Sequence, residues 1–180
     1  MIWFILALVC FVLYFVYIYN KLVVGKNRVE EAKADIDVQL KRRFDLIPNL
    51  IETVKGYKEY ESDTFARITE LRTKAISEKD FKEVDEINKE ISKELRSLFI
   101  NVEAYPELKA NTNFLNLQEE LVDTENKIQA ARRFYNNVVK EFNILTEVLP
   151  SNLVATLLRY RRFDMLSIGD DERENIKVEF

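Results

Sequence analysis

The sequence predicts an all-α protein in which an apolar N-terminal helix able to cross a membrane is followed by long helices packed along their lengths. Three observations carry that expectation. The first 19 residues hold no charge. Apolar residues then recur three and four apart through most of the chain, the spacing of a helix with one buried face. Gly and Pro number three each, well below their usual combined share of about 12%, which leaves little material for tight turns.

Met1 to Tyr19 reads MIWFILALVCFVLYFVYIY. A helix of that length rises about 28 Å, close to the hydrocarbon thickness of a bilayer. Trp3 near one end and Tyr14, Tyr17 and Tyr19 toward the other have the placement of interfacial aromatics. A cleaved signal peptide wants a basic start and a small-residue cleavage site, and the segment has neither. Leu8 and Val9 precede Cys10 where a lipoprotein signal would place small residues. A buried core helix would need protein on all sides, more than a chain of this size supplies. Lys21, Lys26, Arg28 and Lys33 follow the run closely, so the positive-inside rule places the N-terminus outside and the rest in the cytoplasm.

From Val29 the apolar seam continues through Ile36, Leu40, Ile47, Leu50, Val54, Tyr57, Ile68, Leu71 and Ala75. It keeps its register past Pro48 and Gly56, so the expectation is one helix over about 26–77, kinked near Pro48. Two helices meeting at Pro48 is the alternative. Asp80 followed by Glu83 reads as an N-cap pair opening a second stripe, Phe81, Val84, Ile91, Leu95, Leu98 and Val102. Lys82, Glu83, Asp85, Glu86, Lys89, Glu90, Lys93 and Glu94 read as its solvated shell, with Glu86–Lys89 and Glu90–Lys93 paired across one turn. Pro106 interrupts the pattern, and residues 104–113 are expected to form an extended connection with Asn111, Thr112 or Asn113 as the next cap.

The cleanest seam runs over about 113–149, from Phe114 through Leu121, Ile128, Tyr135 and Phe142 to Leu149. Pro150 ends it, and Ser151 is expected to cap a shorter helix in which Leu153, Val154, Leu157 and Leu158 precede Arg159, Arg161 and Arg162. The tail from Gly169 contains DDERE and then Ile176 to Phe180, which alternates with period two, and reads as extended, either mobile or a docking strand.

The chain holds no histidine and a single cysteine, which removes disulfides within the chain, tetrahedral zinc, haem and iron–sulfur ligation, and any triad with a His base. A formal charge of −4 argues against nucleic acid as a partner. The glycines are isolated, so no phosphate-cradling loop exists, and no serine has a nucleophile-elbow context. Neighbouring carboxylates at Asp35/Asp37, Glu119/Glu120 and Asp170/Asp171 point in different directions on a helix.

Arg43 is the polar residue that stands out, because it falls on the seam between Leu40 and Ile47. A buried guanidinium needs a carboxylate, and Asp123, Glu125 and Glu141 are the candidates; snorkelling to solvent and an anion site are the other readings. Arg42/Arg43 and Arg132/Arg133 sit on the two long helices and form one basic patch if those helices are neighbours.

Long stretches resemble the LemA family. They include Asp35 to Arg43 running into Asp45 to Leu50, Thr53 to Tyr57, Glu103 to Pro106, Thr124 to Ile128, Ala131 to Asn136 and Pro150 to Leu153. The resemblance spans nearly the whole chain, with Ser77 to Ser97 more charged than the family pattern. It implies a bacterial membrane protein with one N-terminal span and an antiparallel, up-and-down four-helix bundle of long helices. The expected division is a transmembrane anchor at 1–20, the helical bundle at 26–166 and an extended tail at 167–180.

The family brings no catalytic residues to carry over, and neither cofactor nor metal is expected. Arg43, Pro48, Arg132, Arg133 and Tyr135 are therefore structural candidates. The leading expectation is an interaction or scaffold protein of the inner membrane, touching lipid through residues 1–20 and a protein partner in the envelope. Self-assembly into a homo-oligomer is the second. An enzyme is the last, and would require a pocket collecting Arg43, Tyr135 and a carboxylate.

Overall fold

The computed structural model describes residues 1–55 and 62–167. They are helical with no strand: α1 (Ile2–Lys55), α2 (Ser62–Ser77), α3 (Phe81–Asn101), a 3₁₀ turn (Val102–Ala104), α4 (Pro106–Lys109), α5 (Thr112–Glu147) and α6 (Ser151–Leu157). Helix α1 begins at Ile2 rather than near residue 26, so apolar run and seam are one helix, and it continues through Pro48. The single helix expected over about 26–77 is instead two, α1 and α2: Arg72 of α2 reaches the Phe44 carbonyl of α1 at 2.7 Å, whereas one helix would hold residues that far apart in sequence about 42 Å from each other. Gly56 and Tyr57 of the expected seam, and the extended tail from Gly169, lie outside the described residues.

The first stretch of α1 is long and apolar enough to cross a membrane. It exposes large side chains all round, with Trp3 85% and Phe11 68% accessible. A helix apolar on every side has hydrocarbon or protein as its natural surroundings, not water.

The helices pack as two units. One comprises Met1–Ile36 with Ala130–Met165. Its core sets Ile18, Leu22, Val29, Ala32 and Ile36 of α1 with Tyr135, Val138, Val139 and Phe142 of α5. Gly25 allows the close approach: a Cβ there would lie 3.0 Å from the Phe142 ring. The rings of Tyr160 and Phe163 stack edge-on against Phe142 at 6.0 and 5.3 Å. Asn143 secures the returning chain through both of its amide atoms. Its Nδ2 donates to the Phe163 carbonyl, and its Oδ1 accepts from the Phe163 N–H, each at 2.9 Å.

The other unit is Asp37–Gln129 with the residues from Leu166. Here Leu40, Ile47, Leu50 and Val54 of α1 are buried, as are Ile68 and Leu71 of α2, Ile91, Leu95 and Leu98 of α3, and Phe114, Leu121 and Ile128 of α5. Asp80 caps α3, accepting from the N–H groups of Lys82 and Glu83. Asn111 caps α5 through the Phe114 N–H at 3.1 Å.

Four local expectations are corrected. Residues 102–109 are not extended: they form a 3₁₀ turn and α4, because Pro106 occupies the first helical position, where its missing N–H costs nothing. Helix α5 stops at Glu147, so Leu149 leaves the seam and is exposed. Ser151 lies inside α6 rather than capping it, and its hydroxyl donates to the Val148 carbonyl at 3.0 Å. Glu90 pairs with Arg67 of α2 at 3.1 Å instead of with Lys93.

Candidate functional site

The α1 seam delivers Arg43 into the interior of the second unit, where it is 2% exposed and the largest fully buried side chain. Two helices supply its acceptors. On α3, Asn88 and Ser92 stand one turn apart on the inward face; on α5, Glu125 and Gln129 do the same. Arg43 Nη1 donates to Asn88 Oδ1 at 3.0 Å, to Ser92 Oγ at 2.9 Å and to the Glu125 carboxylate in a close ion pair. One nitrogen with two protons faces three acceptors, so one bond is shared.

Ser92 Oγ lies 2.9 Å from Glu125 Oε2 and 3.0 Å from the Asn88 carbonyl, and its single proton serves one of them at a time. Gln129 Nε2 donates to the other Glu125 oxygen at 3.2 Å. The donor at Arg43 fixes Asn88 with its oxygen inward, which leaves the Asn88 amide nitrogen buried without a hydrogen-bond partner among the described residues. Of the three carboxylates the sequence offered, Glu125 is the one that meets Arg43. Burial withdraws Arg43 from any surface patch. Arg42 lies on the exterior, 3.8 Å from Asp123, and Lys127 sits 2.8 Å from the same carboxylate. The hydrogen bond from Lys127 holds Asp123 below the usual carboxylate range, with the charges of Lys127 and Arg42 adding to it.

A second polar group on α3 departs from the sequence reading. Asp85, expected in the solvated shell, is buried, and Lys89 lies 3.3 Å from it and 2.7 Å from Glu86. Ser167 completes the group, its hydroxyl donating to Glu86 at 2.8 Å. Asp85, Asn88 and Ser92 fall on one face. The signal available in the sequence was their three-four spacing between Val84 and Leu95, which polarity concealed.

Pro48 also acquires a partner. It has no N–H, so within α1 the Phe44 carbonyl four residues earlier loses its helical donor. Arg72 of α2 fills that vacancy, donating Nε to the Phe44 carbonyl at 2.7 Å. The proline therefore leaves the backbone satisfied and ties α1 to α2.

In the first unit Tyr135 is buried, and its hydroxyl donates to the Asp164 carbonyl at 3.1 Å. Burial raises the phenol's pKa, with the Asp164 charge adding to it. Arg132 is half-buried and Arg133 exposed on α5. Arg43 and Tyr135 each serve the unit they belong to. Among the described residues no group of three or more His, Cys, Asp or Glu side chains is placed to hold a metal.

A guanidinium closed in by two helices and committed to three acceptors ties α1 to α3 and α5. A curated relative, Protein LemA of Metamycoplasma hominis, is 29% identical over 92% of this chain and 77% of its own length. Two magnetosome proteins of Paramagnetospirillum magneticum, MamQ 1 and MamQ 2, are each 20% identical over 88% of this chain and 68% of theirs. LemA is not a known enzyme family. The model of the LemA family matches residues 32–180, which takes in the Arg43 network, Pro48 and the Tyr135 region, and the chain belongs to that family.

Proposed function

We propose that this protein is a membrane-anchored helical scaffold of the bacterial cell envelope, held by residues 1–20 with its remaining helices in the cytoplasm. The observation that carries the reading is the outward-facing apolar surface of α1 at its N-terminal end, continuous with a helix whose later turns are packed against protein. The apolar run and the packed seam thus belong to one helix. Lys21, Lys26, Arg28 and Lys33 at the foot of the apolar run support the orientation. The scaffold role is supported by the Arg43 network, which fixes helix register, and by the mixed-charge exterior that α2 and α3 offer to a partner.

Cross-linking in native membranes tests the scaffold role. A band joining this chain to a different envelope protein supports it. Bands containing only multiples of this chain would shift the reading to self-assembly. Protease applied to cells stripped of their outer barrier tests the orientation: a C-terminal tag survives if the helices are cytoplasmic and is removed if they are not.

A further inference from the structure

We infer that α6 and the turn leading into it, residues 148–158, form a second membrane-contacting element, immersed in the leaflet that holds the Lys21 end of the span. The inference rests on the membrane reading of residues 1–20 and adds to it a site of lipid contact far along the sequence.

Depth is the first argument. Phe11, Tyr14 and Ile18 of α1 share an apolar cavity of about 240 Å³ with Pro150, Leu153 and Leu157. Residues 11–18 lie inside the apolar run, so whatever packs beside them lies at the same height in the bilayer. The antiparallel register agrees: Gly25 faces Phe142, and two helical turns up α1 from Gly25 stands Ile18, opposite the Pro150 turn.

Exposure is the second. Leu149, Leu153 and Leu157 are 73%, 65% and 70% accessible, while Ser151, Val154 and Ala155 face inward. Leu153 and Leu157 are one turn apart, so they form a stripe. In water such a stripe is an unstable surface; in hydrocarbon it is the expected one. The backbone suits a dry setting too, since the N–H groups of Asn152 and Leu153 are bonded to the carbonyls of Val148 and Pro150.

Charge placement is the third. No charged residue occurs from Val148 to Leu158, and Arg159, Arg161 and Arg162 follow at once. Helix α6 ends in a left-handed residue, Arg159 at φ 57, with Arg159 N–H bonded to the Thr156 carbonyl and Tyr160 N–H to that of Ala155. This Schellman turn sends the chain back. Tyr160 and Phe163 then meet Phe142, at the level of Gly25 and below the apolar run. Arg162 pairs with Glu147 at 2.8 Å, and Arg159 and Arg161 therefore stand at headgroup height, where anionic phospholipid is the matching partner.

The test uses the full-length chain with Cys10→Ser in phosphatidylcholine vesicles containing phosphatidylglycerol. Single spin labels are placed through Leu153→Cys and Leu157→Cys, with Leu6→Cys as the reference for the span and Glu119→Cys as the reference for water. Leu153 and Leu157 are surface positions, so the substitutions leave the core intact. The expected result is high oxygen and low water-soluble nickel accessibility at both, matching Leu6→Cys. Nickel accessibility matching Glu119→Cys, with the Leu6→Cys label still in lipid, overturns the inference and leaves the anchor standing. A Leu6→Cys label in water overturns both.

Discussion

Arg43 concentrates more consequence than any other side chain. Its three acceptors come from two helices, and removing the guanidinium leaves Glu125, Asn88 and Ser92 facing one another in a low-dielectric interior. Arg43→Leu should destabilise by about 3–5 kcal/mol, the cost of breaking a buried pair and stranding the partner. Adding Glu125→Leu should recover part of that loss, so the double variant costs less than the sum of the singles. Chemical denaturation in a mild detergent reads both.

The exposed carboxylates set the acid response. Lys127 holds Asp123 low, with Arg42 helping, and the backbone N–H groups of Asp80 and Lys79 do the same for Glu78. A depressed folded pKa stabilises above the unfolded value and loses that contribution as pH falls through the folded one. The melting temperature should thus hold from neutrality and fall below about pH 4, the ordinary carboxylate range. Asp123→Asn combined with Glu78→Gln should shallow that fall. That Arg43 needed a carboxylate was legible from its place on an apolar seam. That Asp85 and Asn88 are buried was not, because three-four spacing identifies a face only through apolar residues and these two are polar.

At the scale of the element, α1 shows how a helix tolerates an interior proline. The orphaned Phe44 carbonyl is met by Arg72, a residue on another helix, so the tolerance is tertiary. Arg72→Ala should cost about 1–2 kcal/mol in the native background, typical of a charge-assisted hydrogen bond to a buried group. In a Pro48→Ala background the restored N–H serves Phe44, and the same substitution should cost at least about 0.5 kcal/mol less. Equal costs in both backgrounds would show that Arg72 acts only by packing. The cap on α3 gives a simpler case: Asp80→Ala should lower stability by about 1 kcal/mol, read by thermal melting.

The α3 cap was legible because capping is local chemistry, a short acceptor ahead of free N–H groups. The α4 segment was not, since Pro106 is equally at home ending an extended stretch and opening a helix. Residue Asn143 escaped notice for a related reason: its value lies in matching the backbone of Phe163, a partner outside its own helix.

At the scale of the molecule, one continuous α1 carries both the apolar run and the seam of packed side chains. The all-α class and the family were legible in long motifs and in the period of the apolar residues. The division into two packed units was not, because the seams of α1 and α5 run unbroken through both. Function depends on where the apolar end of α1 resides, since anchor, orientation and the depth of α6 all follow from it. Alkaline carbonate extraction of membranes from cells expressing the full-length chain tests this directly. Retention in the membrane pellet, with peripheral proteins released, is the result expected of a spanning helix. Recovery of the chain in the supernatant would contradict the account.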